Sequence, residues 1–149
     1  MHNPIVLEPF TTEDIAPGVV RAWSADRCLV RYTVDDVKRP TAIAWTDSVK
    51  ALGLAWPSGQ PMRVLYVIRT IGNLQMASFV GTRLSDINEQ PVTASKIIVA
   101  LVMPSDMLAG AARVIGMGFS LSVRSRIPFQ IEAFSDVDPA LFWLVSQPD

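Results

Sequence analysis

Side chains able to move protons, ligate metals or attack carbon are scarce in this chain. The single histidine is His2 and the single cysteine is Cys28. Acid–base, thiol and zinc mechanisms draw heavily on those two types. Cys28 falls in an alternating apolar stretch, which predicts a buried structural thiol rather than a nucleophile. The carboxylates pair as Asp35-Asp36, in a turn, and as Asp136 with Asp138, at a helix start where acids serve the cap and the dipole. Gly116-Met117-Gly118 lacks the third glycine and the preceding strand of a dinucleotide loop, and no P-loop occurs. Arg113, Arg124 and Arg126 lack the interleaved aromatics of a nucleic-acid surface. The residues therefore predict no enzyme, no cofactor, no metal and no nucleic acid.

Two short segments retain chemical interest. Arg69-Thr70-Ile71-Gly72-Asn73 and Pro104-Ser105-Asp106-Met107 each link an apolar run to a helical pattern. Ligands of open α/β sheets lie beyond the C-terminal strand ends, and a helix start offers free N–H groups to an anion. Arg69 would add a forked donor for carboxylate or phosphate. The expectation is an anion pocket of Arg69, Thr70, Gly72 and Asn73. The opposing reading is a surface arginine beside ordinary helix starts, with Asp106 repelling an anion and the Thr70 hydroxyl bonding backbone. No nucleophile–base pair accompanies these residues.

The elements that must position them follow from apolar periodicity. The chain has 149 residues, which predicts one domain with one real core. Half the residues are apolar and 18% are charged, the reverse of a disordered composition. A formal net charge of −1 gives no bulk pull toward nucleic acid or an anionic membrane. One cysteine allows no intramolecular disulfide. The N-terminal residues lack a basic start and an uninterrupted apolar stretch, and residues 97–103 are too few to span a bilayer. A cytoplasmic protein without a membrane span is expected.

Residues 1–17, with Pro4, Pro9 and Pro17, read as an extended arm or lead-in strand, and residues 18–149 as one α/β domain. Residues 19–24 and 28–34 alternate and form a hairpin through Ser24-Ala25-Asp26-Arg27. In the second strand Cys28, Val30, Tyr32 and Val34 share one face, and Leu29, Arg31 and Thr33 the other. Residues 41–55 read as a helix burying Ile43, Trp45, Val49 and Leu52. Residues 62–68 and 94–103 are near-continuous apolar runs, the mark of central strands covered on both sides. Between them residues 74–88 read as a helix burying Leu74, Ala77, Val80, Leu84 and Ile87. A third helix over 107–123, a strand over 129–134 and a short terminal helix complete the order β-β-α-β-α-β-α-β-α. That order predicts an α/β domain with a mixed sheet of about five strands, a leading hairpin, a parallel centre and about four packed helices.

The third helix carries Met107, Leu108, Ala111, Ile115 and Phe119 among few charges. A helix apolar on all sides is covered on all sides. Three readings stay open: an ordinary core helix under the last helix, a homodimer contact with Trp143 nearby, or the wall of a pocket for an apolar ligand.

Three features together resemble the SpoIIAA-like (STAS-type) domains: the hairpin followed by a helix, the strand running into Arg69-Thr70-Ile71-Gly72 and a helix, and the ending Phe134-Ser135-Asp136-Val137-Asp138-Pro139-Ala140-Leu141-Phe142-Trp143-Leu144. The resemblance covers residues 18–146. It implies a mixed sheet with packed helices and a regulatory domain acting through protein contacts. Ile71 stands where that family's phospho-acceptor serine would be and Arg69 where its aspartate would be, so no phospho-switch serine is implied. The expected partners are a second copy of the chain and a further protein; the alternative is a small lipid or apolar metabolite.

Overall fold

The computed structural model describes residues 4–88, 93–107, 110, 113 and 128–149. Among these residues six strands form one sheet in chain order: β1 (Thr11–Ala16), β2 (Val19–Trp23), β3 (Leu29–Val34), β4 (Met62–Ile68), β5 (Ile97–Val102) and β6 (Phe129–Phe134). β1, β2 and β3 are antiparallel neighbours, and β3 to β6 run parallel. The domain is thus α/β with a mixed sheet, as the order of apolar runs predicts.

The sixth strand comes from the expected arm. Thr11–Ala16 is mostly exposed and carries Glu13 and Asp14, so apolar patterning gave no sign of it. It is held by pairing with β2 across the two-residue turn Pro17-Gly18. Proline presets the first central position of such a turn, and the φ of 81° at Gly18 needs glycine at the second.

Helix α1 (Arg39–Ala55) links β3 to β4, and α2 (Leu74–Asn88) links β4 to β5. α1 starts two residues earlier than the periodicity indicates. Pro40 lies in the first turn, where its missing N–H costs nothing. Its buried stripe is Ala42, Trp45, Thr46, Val49 and Leu52, at the helical three-to-four spacing; Ile43 is only half-buried. Both crossovers step the same way along the sheet, so their shared handedness puts both helices on one face. Residues 105–107, 110 and 113 are helical, and α3 (Val137–Ser146) ends the chain.

The sheet divides the core in two. On the first face Val30, Tyr32, Val34, Val64, Tyr66, Ile68, Val99 and Leu101 meet α1 and α2. On the second, Leu29, Leu65, Ile98, Ala100 and Val102 meet Ala140 and Leu144 of α3, with Leu7 and Phe10 of the N-terminal segment beside them. The alternation along β3 matches the two faces read from sequence.

Cys28 departs from its expected place. It precedes β3 rather than lying within it, and it is half-buried. Its neighbour Asp26 imposes the turn by accepting the Cys28 backbone N–H at 3.0 Å and the Ser24 hydroxyl at 2.8 Å. Leu74 also departs: it is 58% exposed, while Ala77, Val80 and Leu84 are buried as expected. The Ile87 side chain lies outside the described residues.

Candidate functional site

The turn after β4 is stitched to the end of β3. The Arg69 N–H donates to the Val34 carbonyl and the Val37 N–H to the Thr70 carbonyl, each at 2.9 Å. A parallel bridge joins Val37 to Ile71, and Ile71 is buried in the first-face core. Asn73 then starts α2: its Oδ1 accepts the Met76 N–H at 2.8 Å, the cap that an otherwise orphaned helix N–H needs.

After β5 the chain passes through Pro104, whose carbonyl accepts the Met107 N–H at 3.0 Å. The two turns converge as the strand-end rule predicts. They line a cavity of about 230 Å³ with Ile71, Gly72, Asn73, Leu74, Asp106, Met107 and Gly110. At Gly110 an added Cβ would lie 3.5 Å from Leu74 Cδ2, so the second segment approaches α2 closely there.

The expected anion pocket is not assembled. Gly72 and Asn73 do line the cavity, but Arg69 does not. Its guanidinium pairs with Asp35 at 3.3 Å, and both side chains are about two-thirds exposed. Such a pair is worth at most about 1 kcal/mol and weakens with salt. Thr70 is exposed and serves through its carbonyl. Among the described residues lining the cavity the charged group is Asp106, which would oppose an anion there.

A second depression, of about 440 Å³, is lined by Asp14, Ile15, Ala16, Pro17, Gly18, Val20 and Asp35. Among the described residues no group of three or more His, Cys, Asp or Glu could hold a metal ion. The shifted titratable groups lie elsewhere. Burial, then the nearby Asp26 carboxylate, push the Cys28 thiol up, away from thiolate chemistry. Burial also pushes the Tyr66 phenol well above its ordinary value. At Glu13 the hydrogen bond from Arg21 outweighs burial and lowers the carboxyl.

The apolar surface expected on the third helix divides. Leu108, Ala111, Ile115 and Phe119 lie outside the described residues, as do Gly116, Gly118, Arg124 and Arg126. Met107 packs on the first-face core, whereas Trp143 packs on the second face. Trp143 therefore does not share a surface with Met107. Its ring lies against Phe134, with centroids 5.8 Å apart and planes tilted by 51°.

α3 holds the surface that the periodicity argument missed. Residues 140–145 are six consecutive apolar side chains, Ala-Leu-Phe-Trp-Leu-Val. Ala140 and Leu144 are buried; Leu141, Trp143 and Val145 are half-buried; Phe142 is 75% exposed. The unbroken apolar run was the available signal, because one face of a sheet cannot cover a whole helix circumference.

Arg63 was also missed. It enters the second face from β4 with its side chain 4% exposed. Its Nε donates to the Leu144 carbonyl at 3.2 Å, and Nη2 donates to the Gln147 carbonyl at 2.9 Å and Asp149 Oδ1 at 2.7 Å. The guanidinium thus satisfies carbonyls at the C-terminal end of α3 and opposes its partial negative charge.

No protein-family model matches this chain, and no curated protein or solved structure matches it either. Among the described residues no helix is long and apolar enough to cross a membrane.

Proposed function

We propose that this chain is a non-enzymatic, cytoplasmic binding domain of regulatory type, related to the SpoIIAA-like (STAS-type) domains, that acts through protein–protein contacts and pairs with a second copy of itself. One observation carries the reading. Two of the most exposed large apolar side chains, Phe142 at 75% and Leu74 at 58%, lie on different elements and are open to a partner's apolar surface. Leu74 sits on the lip of the cavity beside Met107, the described start of the segment expected to meet a second copy. Phe142 stands on α3, apart from that lip, and offers a second contact to a different protein.

Three polar residues at or beside the cavity support the non-enzymatic reading, because they already have structural work. Asn73 caps α2, Arg69 pairs with Asp35, and the Thr70 carbonyl holds Val37. Sedimentation velocity over a rising concentration series tests the pairing. The chain is expected to shift from monomer to dimer, and Leu74→Glu to hold it monomeric. A monomer at every concentration, or a dimer indifferent to Leu74→Glu, would remove that part.

The second reading, a small apolar ligand, rests on the lining of Ile71, Leu74 and Met107. At about 230 Å³ the cavity is smaller than the roughly 300–1,000 Å³ of ordinary ligand pockets. A molecule retained in native mass spectrometry and lost in Met107→Glu would favour it.

A further inference from the structure

α3 and the strand before it have an unusual charge balance. Residues 128–149 contain four acidic residues, Glu132, Asp136, Asp138 and Asp149, and no lysine or arginine. Asp149 is engaged by buried Arg63. The other three are exposed, and Asp136 and Asp138 lie at the start of α3. Glu132 pairs in register with Ala100, a residue of the second-face core, so its side chain emerges on the face that α3 covers.

Asp136 is the N-cap residue of α3 yet makes no cap bond. Among the described residues its carboxylate accepts the Ser135 hydroxyl, at 3.4 Å. Asp138 lies four residues before Phe142, one helical turn away on the same side. Asp138, Phe142 and Ser146 form one exposed stripe, flanked by half-buried Leu141 and Val145. The exposed flank of α3 is therefore an apolar strip with acids toward its N-terminal end.

We propose that this strip docks a basic amphipathic helix of another protein, its apolar face against Phe142, Leu141 and Val145 and its lysines or arginines opposite Asp136, Asp138 and Glu132. The proposal rests on the protein-contact reading above and names the partner's chemistry. Charge complementarity selects this occupant. A second copy brings no lysine or arginine on this strip, so a parallel pairing would oppose acid to acid and an antiparallel one would leave the acids without a base, whereas a basic helix places unlike charges across the rim. Apolar burial supplies the adhesion, and the acids set orientation and partner choice.

The test uses the whole chain and two synthetic helical peptides that share one leucine face, one with lysines and one with glutamates on the other face. Fluorescence anisotropy is expected to show saturable one-to-one binding of the lysine peptide, with the glutamate peptide weaker by about tenfold or more. Phe142→Ser, at an exposed position, is expected to keep the fold by circular dichroism and weaken the lysine peptide by about tenfold. Glu132→Gln with Asp138→Asn is expected to weaken it about threefold, and raising the salt from about 0.05 to 0.3 M to do the same. Equal binding of both peptides would overturn the charge assignment while leaving the contact reading intact. Binding indifferent to Phe142→Ser would overturn the choice of strip. Dimerisation lost in Phe142→Ser would show that a second copy sits there instead. Failure of both peptides, with no self-association, would overturn the inference and the reading beneath it.

Discussion

Arg63 shows how one side chain ties function-bearing surface to core. A guanidinium at 4% exposure must have its donors met or its burial is costly. Here the end of α3 meets them, so the helix that offers Phe142 is fastened at its far end. Arg63→Ala is expected to destabilise the fold by about 2–4 kcal/mol in urea unfolding, because it orphans carbonyls and opens a void. Asp149→Asn removes only the half-exposed ionic partner and is expected to cost about 1 kcal/mol or less. Equal costs would contradict this division of labour. Asp26 acts at the same scale. Burial disfavours its charge, but the Val6 and Cys28 N–H groups and the Ser24 hydroxyl outweigh that and hold its carboxyl below the usual range. The folded state then binds fewer protons than the unfolded one as pH falls through the carboxylate range. Stability from Asp26 is present above its unfolded pKa of about 4 and is lost as pH drops through the lower folded value. Asp26→Asn is expected to flatten the fall in stability below about pH 4.5, measured by denaturant midpoints. An unchanged slope would show that those bonds do not discriminate between the states.

At the scale of elements, α2 and α3 begin in different ways. Asn73 satisfies an N–H of α2, so Asn73→Ala is expected to cost about 1 kcal/mol in thermal or urea unfolding, without altering peptide binding. Asp136 makes no such bond, so Asp136→Ala is expected to cost less than Asn73→Ala. The strands and helices with strong apolar periods were legible in sequence: β4 and β5 as unbroken apolar runs, α1 and α2 by their buried stripes. β1 was legible only as an arm or a lead-in strand, because its Thr-Thr-Glu-Asp start is held by backbone pairing at an edge, which side-chain hydrophobicity does not record. The two turns of the candidate cavity were legible because strand ends and helix starts are marked by sequence. What each polar group does there was not. Arg69 finds Asp35 just past the end of the neighbouring strand β3, a pairing whose register no single sequence fixes.

At the scale of the molecule, the parallel sheet is the shared wall of two cores. β4 gives Val64, Tyr66 and Ile68 to one and Leu65 to the other. Damage on either side should therefore be felt on both. Leu65→Ala is expected to cost about 2–5 kcal/mol, with far-ultraviolet dichroism and tryptophan fluorescence reporting one coincident transition. Separate transitions would mean that the faces unfold independently. The same division separates the two proposed contacts: Leu74 and Met107 belong to the side of α1 and α2, and Phe142 to the side of α3. Such an arrangement lets a paired molecule keep a second surface free for another protein. Amide hydrogen exchange with and without the lysine-bearing helical peptide tests this most directly. Slowed exchange confined to α3 and β6 is the expected result. Slowing at residues 71–74 and 105–107 instead, or no slowing at a saturating peptide concentration, would contradict the account.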